Sequence, residues 1–264
     1  MALTLPSETR KPKENSPNIM LIYGMPKGGK TTICSYLKNH LILELEPGGA
    51  DYVEGRVLEL NKPSEFNEAL NILEQSTEQV CDYLIVDTTT KMDEWAEIVG
   101  TYNYMSKPQG KKFNREGEQP NGVKILHTDP RFETVHELGQ GFGYQHSRQV
   151  MVDWYDRLLN LITLKKVKKI ILIAHIKDKL VESKTGDAVD AIDINLTGKV
   201  KSIYASRVDA IAFFNRKGSQ GYLNFDNEFK VLSGGRCPHL DGKILISEKV
   251  DGKIITHWDK IYLD

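Results

Sequence analysis

Asn18 to Tyr36 reads NIMLIYGMPKGGKTTICSY, an apolar run that meets a glycine-rich turn and continues into a helix-compatible segment. Gly24, Gly29, Lys30 and Thr31 fit G-x-x-x-x-G-K-[ST], the phosphate-binding loop in which backbone N–H groups wrap an anion. A backbone curled around a phosphate needs positive φ and no Cβ in the way, which is why glycines recur here. In this pattern Lys30 reaches the β- and γ-phosphates of a nucleotide and the Thr31 hydroxyl holds Mg²⁺. The residues expected to cradle the nucleotide are Gly24, Met25, Pro26, Lys27, Gly28, Gly29, Lys30, Thr31 and Thr32. Ile19 to Ile22 supply a buried strand leading in, and Thr31 to Lys38 lead out as a helix whose N-terminus faces the phosphates.

Tyr83 to Asp87, YLIVD, is a second apolar strand, and it ends in a carboxylate. Downstream of a phosphate loop, with a strand and a helix between them, this is a Walker B pattern. Asp87 is its Mg²⁺ ligand, direct or through water, because a hard cation wants oxygen. Leu41 to Leu45 is a shorter strand that ends at Glu46, followed by Pro47, Gly48 and Gly49. In an open parallel sheet the ligand crevice lies outside the carboxyl ends of the strands. Glu46 is therefore expected to face the γ-phosphate as general base or water-orienting group, with Glu44 as runner-up. The plainer alternative for Glu46 is a carboxylate that caps the next turn. Ile170 to Ala174 is a further buried strand ending in His175, which reads either as a sensor of the γ-phosphate or as a strand-end histidine making a hydrogen bond. Thr88 to Thr90 either line the site or cap the helix that begins near Lys91.

The chain has 264 residues, a formal net charge of −1 and three isolated cysteines. That length suits one sizeable α/β domain with additions, and the charge excludes a globally basic nucleic-acid coat while leaving room for a local basic channel. Cys34, Cys81 and Cys237 lack C-x-x-C spacing and read as reduced thiols. No apolar leader or bilayer-length run is present, so a cytoplasmic protein is expected, with no membrane partner. Asn61-Lys62-Pro63-Ser64 resembles the guanine-reading N-K-x-D motif, but Ser64 replaces its carboxylate, which favours ATP over GTP. Met1 to Pro17 is expected as a mobile arm.

Ser64 to Thr77 and Ser147 to Leu164 carry helical apolar stripes. Thr101 to His146 loses its periodicity: it is expected either to stack bases and track phosphates with Lys107, Lys111, Lys112, Arg115 and Lys124, or to pack as an elaborated loop. His127, Asp129, His136 and Glu137 match no recognised metal spacing. Lys165, Lys166, Lys168 and Lys169 are expected to close the preceding helix against its dipole. Asp178 to Asn195 reads as a second irregular, mobile loop. Val208 to Phe214 is a further strand, Gly221 to Leu232 alternates like edge strands, and Asp251-Gly252 marks a hairpin.

The order of blocks is GMPKGGKTT, LELEPGG, YLIVDTTT, IILIAHIKD and LTGKVKSIYASRVDAIAFFNR. In this order the chain resembles the phage-encoded RecA-like P-loop ATPases associated with single-strand annealing, over roughly residues 18–236. The resemblance implies a RecA-like α/β fold, a twisted, mainly parallel sheet with helices on both faces. It divides the chain into an arm at 1–17, an ATPase core at 18–236 with an insertion at about 101–146, and a C-terminal β extension at 237–264. It implies ATP and Mg²⁺ as cofactors, Lys30 and Thr31 in the loop, Asp87 at the metal, Glu46 as catalytic carboxylate, and His175 as the polar sensor where relatives often carry Gln. It further implies single-stranded DNA facing the stretch 177–197, homo-oligomers as ring or filament, and a separate annealing or single-strand-binding partner. A basic finger reaching the neighbouring subunit's nucleotide would be Lys199, Lys201, Lys230 or Arg236. Two other functions fit a phosphate loop: a small-molecule kinase, or a nucleotide-gated assembly protein without DNA-linked turnover.

Overall fold

The computed structural model describes residues 9, 11–12, 15–108, 134–137, 143–182, 188–226 and 231–263. Strand β1, Ile19–Gly24, is buried along its whole length, as a strand covered on both faces must be. It pairs in parallel with β5 (Val167–Glu182) on one side and β7 (Ala210–Lys217) on the other. Beyond β5 follow β4 (Cys81–Asp87), β2 (His40–Glu44) and the short β3 (Val57–Glu59), all parallel. Beyond β7 the sheet turns antiparallel through β8 (Gln220–Asn224), β10 (Lys243–Val250) and β11 (Lys253–Thr256). Two further strands lie off this path: β6 (Ala188–Ile194) pairs with β5, and β9 (Gly234–Gly235) with β7. A strand inserted between the phosphate-loop strand and the Walker B strand is the RecA-like arrangement, so the expected α/β P-loop class is the one found.

Side chains alternate across a strand, and β1 and β5 use both sets. Ile19, Leu21 and Tyr23 join Ile170, Leu172 and Ala174 in one core. That core packs on helices α2 (Pro63–Gln75), α3 (Thr89–Met105), α4 (Tyr144–Thr163) and α5 (Val200–Arg207), through Phe66, Met92, Trp154 and Tyr204 among others. Met20, Ile22, Ile171 and Ile173 face a second core with Ile33 and Cys34 of α1 (Lys30–Cys34) and with Trp258, Ile261 and Tyr262 from the end of the chain. Helices therefore cover both faces. Trp154 is fixed by an edge-on contact with Phe66 at 5.2 Å and donates its Nε1–H to Asn67 at 2.9 Å.

Several boundaries differ from expectation. Helix α1 is one short turn and a half, because the chain reverses at Asn39, with φ of 49°, to enter β2. Asparagine tolerates that left-handed conformation better than most residues. Helix α3 runs to Met105 and α4 begins at Tyr144, each intruding on the segment expected to lack structure. Residues 109–133, with Lys111, Lys112, Arg115, Lys124, His127 and Asp129, lie outside the described residues, as do 138–142 and nearly all of the 1–14 arm. The lysine run does not cap α4. Lys165 makes the turn at φ of 57°, Lys166 donates to the Ser76 carbonyl, and Lys168 pairs with Asp82 at 2.9 Å from within β5. These lysines tie neighbouring elements together, since the strand starts at Val167.

The segment expected as an irregular loop at Asp178 to Asn195 is a two-stranded ribbon. β5 continues past His175, and Ile176 to Glu182 pair antiparallel with Ile194 to Ala188. Backbone pairing between polar sequences leaves little apolar periodicity to read. Residues 183–187 at its tip are outside the described residues. The Asp251-Gly252 hairpin joins β10 to β11 as expected, with φ of 50° and 82° at the two turn positions.

Candidate functional site

Parallel register brings the ends of four strands to one rim: Gly24 pairs with His175, and Glu44 with Asp87. The turn from Met25 to Gly29 rises from this rim. A Cβ at Gly24 would stand 2.5 Å from the Phe214 carbonyl oxygen, which no side chain tolerates, and Gly29 holds a φ of 101°. These two glycines are fixed by geometry.

Lys30 is 5% exposed and folds back over the loop, donating from Nζ to the Gly24 carbonyl at 3.0 Å and the Met25 carbonyl at 2.8 Å. Burial lowers its pKa, and the nearby Asp87 and Glu46 charges oppose the shift. Asp87 is likewise buried; desolvation raises its carboxyl pKa, against the hydrogen bond from Thr31 and the Lys30 charge. The Thr31 hydroxyl donates to Asp87 Oδ2 at 2.5 Å. One hydroxyl and one carboxylate, both hard oxygen donors, thus converge at the mouth of a phosphate loop. The pair fits Mg²⁺, which takes one or two protein oxygens and completes its shell with phosphate and water.

Glu46 does not cap its turn. Thr88 donates to its Oε1 at 2.6 Å, and His175 Nε2 lies 3.0 Å from Oε2 and 3.2 Å from Oε1. The hydrogen bond with His175, then the one from Thr88, hold its carboxyl below the ordinary range against a desolvation penalty. Glu44 takes the capping role: buried, it accepts from the Ala50 N–H at 2.7 Å. Thr88 meets both of its expectations, since its hydroxyl also accepts from the Lys91 N–H as the N-cap of α3 at 3.1 Å. Thr90 accepts from the His175 N–H at 3.0 Å, and the buried His175 Nδ1 has no partner among the described residues. A cleft of about 500 Å³ opens over this group, lined by the loop from Pro26 to Thr32 and by Glu46, Asp87, Thr88 and His175.

Of the four finger candidates, two are tied within their own chain. Lys201 bonds Asp193 at 2.5 Å, and Arg236 bonds Asp209 at 3.2 Å and the Ser206 carbonyl at 2.6 Å. Lys199 is exposed at the start of α5, and Lys230 is outside the described residues. His136 pairs with Glu97 at 3.1 Å and with Ser147 at 2.6 Å, which fastens the short turn Val135–Glu137 to α3 and α4. Sequence reasoning missed Trp258, whose indole N–H donates to the Ile33 carbonyl at 2.8 Å from 225 residues away. A lone tryptophan near the end of the chain carries no pattern that names its partner.

Fold and loop define a P-loop protein of the nucleotide-binding class. The AAA domain family matches residues 16–237, and the chain belongs to that family. No curated protein matches it at a significant level. Among solved structures, that of the RadB recombinase is similar at a TM-score of 0.44 and 12% identity, covering 90% of each chain. Among the described residues, no helix is long and apolar enough to cross a membrane.

Proposed function

We propose that this protein is a Mg²⁺-dependent ATPase that works as a homo-oligomer on single-stranded DNA, in phage recombination or replication, beside a separate annealing or single-strand-binding protein. The observation that carries the hydrolytic part is the convergence of Lys30, Thr31, Asp87 and Glu46, from separate stretches of the chain, around one cleft. Lys30 exchanges its carbonyl acceptors for β- and γ-phosphate oxygens. Mg²⁺, when bound at Thr31 and Asp87, neutralises charge on those oxygens. Glu46, kept ionised by His175 and Thr88, accepts the proton of a water that attacks the γ-phosphorus in line, releasing ADP and phosphate.

The DNA part is supported by the resemblance of the sequence blocks and by the ribbon that continues β5 directly from His175. A change at Glu46 reaches that ribbon through one hydrogen bond. The same reading gives an arm at 1–17, a core at 18–236 and a C-terminal β extension at 237–264, with Lys199 or Lys230 as the trans-acting finger. The test is steady-state ATP turnover with and without single-stranded DNA, at low and higher salt. Stimulation that fades with salt is expected, because phosphate contacts release counterions. Lys30→Ala abolishes turnover. Turnover indifferent to DNA at every salt concentration refutes the DNA part and leaves the kinase and assembly alternatives standing.

A further inference from the structure

Asp93 is a buried carboxylate that the nucleotide cleft leaves unused. It lies near the start of α3, 5% exposed, and its Oδ2 accepts from the Thr197 N–H at 2.6 Å. Its Oδ1 is buried and has no hydrogen-bond partner among the described residues. A half-satisfied carboxylate inside a protein is costly, so it points to a second use. We infer that Asp93 is a positioning residue that carries the state of the nucleotide cleft to the returning strand of the β5–β6 ribbon. One oxygen grips the end of that strand now, and the other takes a second backbone N–H when nucleotide is bound. The inference rests on the nucleotide reading of the phosphate loop and adds a route out of the cleft that bypasses Glu46.

The route is short. Helix α3 begins at Thr89, two residues after Asp87, with Thr88 as its N-cap. Asp87 now accepts from the Thr31 hydroxyl, a bond that gives way when the pair holds a metal and its nucleotide, and the peptide that starts α3 moves with Asp87. From Thr89 to Asp93 the helix rises only about 6 Å. Thr89, Thr90, Met92 and Asp93 are all buried, so this stretch passes a displacement on as a packed unit. Thr90 and Asp93 stand three residues apart, on one face of the helix. That face meets both legs of the ribbon. Thr90 accepts from the His175 N–H at 3.0 Å on the outgoing strand, and Asp93 takes Thr197 just past the returning one. The legs are tied to each other as well, Asn195 N–H to the His175 carbonyl at 2.9 Å and Lys177 Nζ to the Leu196 carbonyl at 2.9 Å. Helix α3 therefore holds the root of the ribbon at two points, and Glu46 reaches the first of them through His175.

The second donor is near in the chain. Thr197 is followed by Gly198 and Lys199, which lead into α5 at Val200. The first N–H groups of a helix have no partner within it, and Lys199 brings no side-chain cap to α5. Gly198 holds a φ of 49°, a conformation that glycine enters and leaves without steric cost, so the turn between Thr197 and α5 can rotate. An acceptor without a donor thus stands beside a turn that opens onto helix amides. Burial raises the Asp93 carboxyl pKa against the hydrogen bonds from Thr197, and a further N–H makes its charge less costly. Asparagine in this place keeps one acceptor for Thr197 and loses the second, which makes it the informative substitution.

The experiment is hydrogen–deuterium exchange, read by mass spectrometry over residues 188–197, on the full chain with and without Mg²⁺ and adenylyl imidodiphosphate, an ATP analogue that is not hydrolysed. Asp93→Asn and Asp93→Ala are compared with wild type, with nucleotide affinity by titration and melting curves to check folding. Wild type exchanges about ten-fold more slowly in this stretch once nucleotide is bound. Asp93→Asn matches wild type without nucleotide, binds nucleotide within about two-fold of wild type, and slows by less than about two-fold on binding it. Asp93→Ala exchanges faster than wild type in both states. An Asp93→Asn protein that slows as much as wild type shows the second oxygen unused and overturns the inference. So does a wild type that binds nucleotide with no change over 188–197. Loss of nucleotide affinity in Asp93→Asn assigns the residue to the cleft itself and overturns it too. Wild type that binds no nucleotide instead removes the phosphate-loop reading, and this inference with it.

Discussion

Replacing Glu46 by glutamine separates its two jobs. The carboxylate accepts from Thr88 at 2.6 Å and meets His175 at 3.0 Å. Glutamine keeps a carbonyl oxygen for the Thr88 hydroxyl and an amide to face His175 Nε2, so shape and packing at the rim persist. Removing a charge from this half-buried position leaves no unpaired partner, and stability is expected to change by no more than about 1 kcal/mol. The lost property is basicity. A positioned general base contributes about 10²–10⁴ in rate, so kcat should fall by that factor, about 3–5 kcal/mol in the barrier. The assay is phosphate release at saturating ATP, paired with ATP affinity by titration. Glu46→Gln with kcat within ten-fold of wild type and unchanged affinity refutes the assignment, leaving Glu46 as a holder of His175 only.

Asp87→Asn should raise the melting temperature of the ligand-free protein while removing Mg²⁺-dependent nucleotide binding, because burial makes the charged form of Asp87 costly. A lower melting temperature in Asp87→Asn counts against that account. The Glu46 carboxyl is held low, so it stays ionised below the ordinary carboxylate range, and what its bonds contribute is lost only as pH falls through that lowered value. The acid limb of the rate profile therefore lies low for wild type, and removing the imidazole with His175→Ala should shift it upward; an unmoved limb contradicts the pairing. Trp258→Phe leaves the Ile33 carbonyl without its indole donor and should cost about 1–3 kcal/mol by denaturant unfolding, with weaker ATP binding because α1 loses its brace. Equal stability and affinity exclude that bracing role.

The sheet was legible wherever strands are buried on both faces, because Ile19 to Ile22, Tyr83 to Asp87 and Ile170 to Ala174 are continuous apolar runs bounded by turn residues. Glu46 and His175 were placed near one another by a rule about strand ends, and the structure brings them into contact. The division of labour between Glu44 and Glu46 was not legible. Two carboxylates two positions apart, one at the last residue of a strand and one just past it, differ in what they meet, and that follows from the tertiary position of Ala50 and Thr88. The lysines after Leu164 misled because a helix end and a strand start look alike in charge. That Arg216 lies beside the phosphate loop was hidden in the sequence, because it is the pairing of β7 with β1 that brings it there.

Strand β5 changes its neighbours along its course: β4 holds it from Val167 to Ile173, β1 from Ile170 to His175, and β6 from Ile176 to Glu182. A β-strand is already extended at about 3.3 Å per residue, so it has almost no slack to take up along its axis. The portion beyond His175 then reaches roughly 20 Å from the rim as a taut rod rooted in the middle of the sheet. Whatever grasps its far end pulls on the residue that meets Glu46, and load applied there becomes a quantity the proposed hydrolytic site can feel.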